Sequence, residues 1–172
     1  MTELLPRPCR RAVVVAVVLG LFAAVIPEGG FASSLRKFSF TGAGTNVVTI
    51  QTGELRERWT GQANPFGKIT AHVTGRIKLP TPTSLVVHSR MVINDPSGDE
   101  LIGTCSGKGV PPIPKGSEDW TCVATGGTGK FRRSRGRWTL HIAIHRISNN
   151  NGVQKNRFTE KGAGRISWNA GA

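Results

Sequence analysis

The segment Gly126-Gly127-Thr128-Gly129-Lys130-Phe131 constrains this chain more than any other. Three glycines in four positions mark a backbone that side chains would obstruct, either because φ is positive or because another strand passes close. The runs on either side, Ser117–Thr125 and Arg135–Arg146, read as strands. A strand, a glycine turn, an aromatic plug at Phe131 and a second strand predict an antiparallel sheet that curls. A phosphate-binding loop would need a helix next, with its amides and dipole facing the anion. Instead Trp138-Thr139-Leu140-His141-Ile142-Ala143-Ile144-His145 follows, with a period of two.

Read through to Gly136, the segment Gly126-Gly127-Thr128-Gly129-Lys130-Phe131-Arg132-Arg133-Ser134-Arg135-Gly136 resembles the signature of the allene oxide cyclase and dirigent-like barrel superfamily. That signature reads Gly-Gly-Thr-Gly-x-Phe-x-x-Ala-x-Gly, and Ser134 stands where the family usually has Ala. The resemblance covers Thr121–Leu140 closely and Phe38–Trp168 loosely. It implies an eight-stranded antiparallel β-barrel in which this hairpin joins two late strands. It also implies trimers. Family members that guide phenoxy radicals or cyclise an epoxide use particular Tyr, Asp, Arg, Glu and Asn residues in the barrel pocket. This chain has no Tyr, and none of the others aligns residue by residue, so the resemblance carries the scaffold rather than the activity.

The N-terminal 32 residues read as a signal peptide. Arg7, Arg10 and Arg11 precede the apolar run Ala12–Ile26, and Gly30-Phe31-Ala32 places small residues before a cleavage point at Ala32–Ser33. The run is shorter than the roughly 20 residues that span a bilayer as a helix. The sequence therefore predicts a protein secreted to an extracellular or periplasmic location, with residues 33–172 forming one β-barrel domain. Cys9 leaves with the leader, and the remaining pair, Cys105 and Cys122, is expected to form a disulfide across the proline-rich stretch Lys108–Glu118. No Cys or His stands at ligand spacing beside them, so no metal site is predicted.

Of the 23 Lys and Arg residues, all but three lie beyond the leader, against eight Asp and Glu. A field of this sign attracts polyanions, and for an exported chain a polyanionic cell-surface component is the expected class, not nucleic acid. The densest cluster is Lys130, Arg132, Arg133, Arg135 and Arg137.

Nine strand-like runs bounded by Gly, Pro, Asn or Asp are visible: Leu35–Thr41, Val47–Gln51, Glu54–Ala63, Ile69–Leu79, Ser84–Asn94, Glu100–Gly107, Asp119–Thr125, Arg135–Arg146 and Arg157–Trp168. One of the first three is expected to be continuous with its neighbour or irregular, which leaves eight. Ser84–Asn94 carries Val86 and Val92 opposite its apolar face of Leu85, Val87, Met91 and Ile93. That pattern asks for outside cover and fits a homotrimer contact.

Two acids break the alternation. Glu160 falls in phase with Phe158, Ile166 and Trp168, and Glu57 with Leu55 and Trp59. A carboxylate on an apolar face must be paired, hydrogen-bonded or protonated. Either it anchors a ligand in the barrel mouth, or a one-residue bulge or strand end returns it to water. His72, His88, His141 and His145 lie on the polar faces and do not converge. No nucleophile elbow, metal motif or cofactor loop is present. The reading is a non-enzymatic barrel, without a cofactor, that binds a small apolar ligand through Glu57, Glu160, Trp59 and Trp138, or an anionic envelope surface. The alternative is an isomerase or cyclase resembling allene oxide cyclase. Filling of the interior by Trp59, Phe66, Trp138 and Trp168 weakens both ligand readings.

Overall fold

Alternating apolar and polar side chains carry the chain through eight strands, which bury one face except in β4, where Val92 is buried as well. They are β1 (Arg36–Thr49), β2 (Glu54–Asn64), β3 (Gly67–Thr81), β4 (Ser84–Asn94), β5 (Glu100–Val110), β6 (Lys115–Gly127), β7 (Gly136–Asn150) and β8 (Val153–Ile166). The computed structural model describes residues 34–169; the expected leader and its cleavage point lie outside them. Every strand pairs antiparallel with its neighbour in sequence, and β8 pairs back onto β1, so the sheet closes into a barrel. Apolar side chains fill the inside and the wall is polar, the reverse of a barrel whose wall faces lipid.

The two N-terminal runs are one strand. Gly42 and Gly44 read as a break, yet both point inward in β1. A Cβ on Gly42 would sit 2.7 Å from the Trp59 ring. The glycines make room for an indole from β2, and the ladder continues past them. The proline-rich connection is likewise shorter than the sequence suggests. Val110 still pairs with Ser117, leaving only Pro111–Pro114 outside the strands.

The glycine-rich segment has both of the proposed reasons for its glycines. Gly126 and Gly129 have φ of 122° and 45°. A Cβ on Gly127 would collide with the Glu100 carbonyl oxygen, and one on Gly129 with the Asp99 carboxylate. The segment is docked on the β4–β5 turn: the Thr128 amide donates to Glu100 O at 2.9 Å, the Glu100 amide to Thr128 Oγ1 at 2.8 Å, and the Lys130 amide to Asp99 Oδ2 at 3.2 Å. Lys130 also forms an ion pair with Asp95. A single 3-10 turn, Gly129–Phe131, then drives Phe131 inward.

Phe131 joins an aromatic plug at this end of the barrel. Phe66 meets both Phe131 and Trp168 edge-on at 5.0 Å, and Phe38 bridges Phe66 and Trp138. One level further in, Phe40 stacks on Trp59 at 5.3 Å. Cys105 and Cys122 face each other across β5 and β6 and form the disulfide. Val92, one of the two outward valines of β4, is only 2% exposed within the single chain, and Val86 is half-buried.

Candidate functional site

Glu57 and Glu160 both point into the barrel and are each 2% exposed. No bulge intervenes to turn them out: β2 holds one register against β1 and β3, and β8 one against β1. A third carboxyl, Glu118, joins them at 4% exposed. In register, Glu118 and Glu160 flank Ile142 on either side, and Gly42 lies beyond Glu160 on β1. Glu57 stands opposite Asn46.

These groups are unequally served. Gln154 donates to Asn156 at 3.0 Å, Asn156 to Asn46 at 2.7 Å, and Asn46 to Glu57 Oε2 at 3.5 Å. Trp120 Nε1 donates to Glu118 Oε2 at 2.6 Å. Glu57 Oε1 and both oxygens of Glu160 have no partner among the described residues. Among the described residues no Lys, Arg or His side chain is buried. Without a cation, burial dominates and favours the neutral form. It pushes Glu160 up to about 8. It pushes Glu118 up to about 7 against the opposing hydrogen bond from Trp120. Glu57 is raised well above the usual carboxylate range, first by burial and then by the negative charges of Glu160 and Glu118.

Trp59 and Trp138, the aromatic residues expected to accompany the acids, are buried at 3% and 1% and belong to the packed core. Their indole nitrogens are unpartnered, as is Ser89 Oγ. Phe66 and Trp168 pack on the same core, so the aromatic end of the barrel is filled. Among the described residues no group of three or more His, Cys, Asp or Glu is placed to hold a metal ion.

The sequence analysis missed Glu118, Asn46 and Asn156. Glu118 lies within the run Ser117–Thr125, in phase with Trp120 and Cys122, and Asn156 lies one residue before the run Arg157–Trp168, in phase with Phe158. Asn46 was lost in the false break of β1.

Hiding three of eight carboxyls leaves the outside of the barrel more basic than composition suggests. Twenty Lys and Arg stand against the five acids outside the barrel interior, of which Asp95 is itself buried against Lys130, Glu54 pairs with Arg56 and Asp119 with His141. The wall formed by β7, β8 and β1 is ordered. Arg137, Arg165 and Lys37 lie directly opposite one another on the three strands. Four residues along come His141, Lys161 and Thr41, and four further His145, Arg157 and Thr45. The rows between carry only Thr139, Ala163, Ser39, Ala143, Thr159 and Ala43. Basic rows therefore recur about every 13 Å along the strands, with neighbours in a row about 5 Å apart. Like charges directly opposite one another destabilise a sheet, and no acid of these three strands points outward to relieve them. An open groove of about 440 Å³ runs over β6, β7 and β8 at the first of these small rows, lined by Thr121, Thr139, Ala163, His141, Lys161 and Asp119.

Comparison with protein families, with curated proteins and with solved structures found no match for this chain.

Proposed function

We propose that the protein is an exported, non-enzymatic barrel that binds an extended polyanion of the cell surface along the β7–β8–β1 wall. The unrelieved row of Arg137, Arg165 and Lys37 carries this reading. Cations held side by side at strand spacing repel unless an anion lies across them, and beside this row the small side chains Thr139 and Ala163 floor an open groove. A sulfated or phosphodiester polymer supplies anionic groups in series. The closed eight-stranded topology and the glycine segment between β6 and β7 support kinship with the allene oxide cyclase and dirigent-like barrels. The test is retention on a sulfated-polysaccharide resin. Replacing Lys37, Arg137 and Arg165 by Ser is expected to lower the eluting salt concentration clearly more than replacing Lys68, Arg76 and Lys78 of β3, which removes the same charge. Equal losses from both triples would leave only net charge at work and sink the assignment to this wall.

A second reading is favoured by the orphaned oxygens of Glu160 and Glu57. The hydrogen-bond-donating or amine head of a small apolar molecule would satisfy them, but Trp59 and Trp138 are packed in the core and Phe66 and Trp168 fill the aromatic end, which weakens this reading beside the first. The cyclase alternative uses the same carboxyls but finds no cationic partner beside them among the buried residues. A panel of alkyl and aryl amines and phenolic probes is expected to raise the melting temperature in the unmutated protein and not in Glu160→Gln. No shift with any probe, or turnover of an epoxide lost in Glu57→Gln or Glu160→Gln, would remove the non-enzymatic ligand reading.

A further inference from the structure

The end of the barrel away from the aromatic plug is shaped differently from the wall. Seven large hydrophobic residues are exposed on the described chain, and five of them are here: Ile50, Leu79, Val110, Ile113 and Ile147. All four connections at this end contribute. Ile50 opens the β1–β2 turn, Leu79 sits near the end of β3, Val110 and Ile113 belong to the β5–β6 connection, and Ile147 precedes the β7–β8 hairpin. Among the described residues, the other two are Leu35, at the start of β1, and Val123, on the outside of β6.

The placement is built into the backbone. The β3–β4 register shifts between Lys78 and Thr81, and the β7–β8 register between Arg146 and Ser148. Leu79 therefore lies in one irregularity and Ile147 in the other, and bulges at barrel rims re-aim side chains. The tips are also tied together. The Ile50 amide donates to Gly152 O at 2.8 Å, the Ile77 amide to Gly53 O at 2.7 Å, and the Arg146 amide to Pro114 O at 2.9 Å. These bonds join the β1–β2 turn to the β7–β8 hairpin and to β3, and the β5–β6 connection to β7.

Its charge is one-sided. Lys78, Lys108, Lys115, Arg146 and Lys155 stand next to the aliphatic tips. The one exposed acid at this end, Glu54, is already paired with Arg56. Aliphatic tips surrounded by long basic side chains suit an interface whose inside is apolar and whose surface is anionic. On such a surface the tips would reach the acyl boundary while the ammonium and guanidinium heads stayed among the phosphates.

We propose that this rim docks the protein peripherally on an anionic lipid bilayer, with Leu79, Ile113 and Ile147 entering the headgroup layer. The surface is separate from the basic wall and does not depend on it. A solid protein partner would need shape complementarity to five separated tips, whereas a fluid interface adapts to them. Charge complementarity decides for anionic lipid.

The test is co-sedimentation with vesicles of phosphatidylcholine and phosphatidylglycerol in equal parts, and with phosphatidylcholine alone. The protein is expected to sediment with the mixed vesicles and to stay in solution with the neutral ones. The combined variant Leu79→Ser, Ile113→Ser, Ile147→Ser is expected to lose roughly tenfold or more in partitioning. An unchanged thermal melt and circular dichroism spectrum show that it is folded. In a separate variant, Ile113→Trp, the tryptophan emission is expected to shift to the blue on mixed vesicles only. Undiminished sedimentation of the triple variant would overturn the proposal. So would sedimentation that is lost on replacing Lys37, Arg137 and Arg165 instead, since the wall would then hold the vesicles. An oligomer of the unmutated protein that the rim variant converts to monomer would put a second copy of the chain on the rim, and would overturn it too.

Discussion

Raising the pH from about 5 to 9 is expected to destabilise this protein by several kcal/mol, and Glu160→Gln is expected to abolish much of that loss. Burial raises the folded-state pKa of Glu160 to about 8 and of Glu118 to about 7, from an ordinary value of 4.5. Between the ordinary value and the raised one, the folded protein binds protons that the unfolded chain has released. Stability falls with rising pH in that window. Below about 4.5 the carboxyls are protonated in both states and cost nothing; above about 8 the full cost of burying charge is present. At about 1.4 kcal/mol per pKa unit, Glu160 sets an upper limit on the order of 5 kcal/mol, which water entry and relaxation reduce. Asp95 acts in the opposite direction. Burial raises its pKa, but the hydrogen bonds from Lys130, Ser97 and the Asp99 amide and the charge of Lys130 outweigh burial and hold it low. Its contribution is lost only as the pH falls below the ordinary carboxyl range. Urea melts at pH 5.5 and 8.5 check the sign. A protein equally stable at both, or a Glu160→Gln variant with the unmutated pH profile, would show that Glu160 is not buried as described.

Removing the Cys105–Cys122 bond is expected to cost about 3 kcal/mol. The two residues are 17 apart in sequence and directly opposite across β5 and β6. Cross-linking them shortens the unfolded chain's free loop by that length, and the chain-entropy relation gives about 3 kcal/mol for a loop of this size. The sulfurs face the core, both residues being 4% exposed or less. Paired Ala replacements therefore add the loss of buried volume to the loss of the cross-link. Denaturant melts of Cys105→Ala/Cys122→Ala against the oxidised protein measure the sum. A non-reducing mass heavier by two hydrogens, with both thiols free, would contradict the bond itself.

Much of the architecture was legible because barrel strands advertise their period. Ile69, Ala71 and Val73 inside against Thr70, His72 and Thr74 outside need no structure to be sorted. The same counting placed Glu57 and Glu160 on the apolar face, and they are inside. The errors came where a residue type normally ends a strand but here serves packing. Gly42 and Gly44 accommodate Trp59, and reading them as punctuation hid Asn46. Glu118, in phase with Trp120 and Cys122, comes onto the apolar face only when β6 is carried back beyond Asp119. The basic rows of the wall were not legible at all. Arg137, Arg165 and Lys37 are distant in sequence, and only the β7–β8–β1 register brings them together.

That register makes the binding constant for a soluble sulfated polysaccharide, followed as a function of salt, the most direct measurement of the wall's role. Each cation that meets the polymer displaces a counterion, so the logarithm of the affinity is expected to fall linearly with the logarithm of the salt concentration. The slope is expected to be shallower in the Lys37→Ser/Arg137→Ser/Arg165→Ser variant, by about the number of contacts removed. No binding at low salt, or one slope shared by the unmutated protein and the variant, would contradict a polyanion held along this wall.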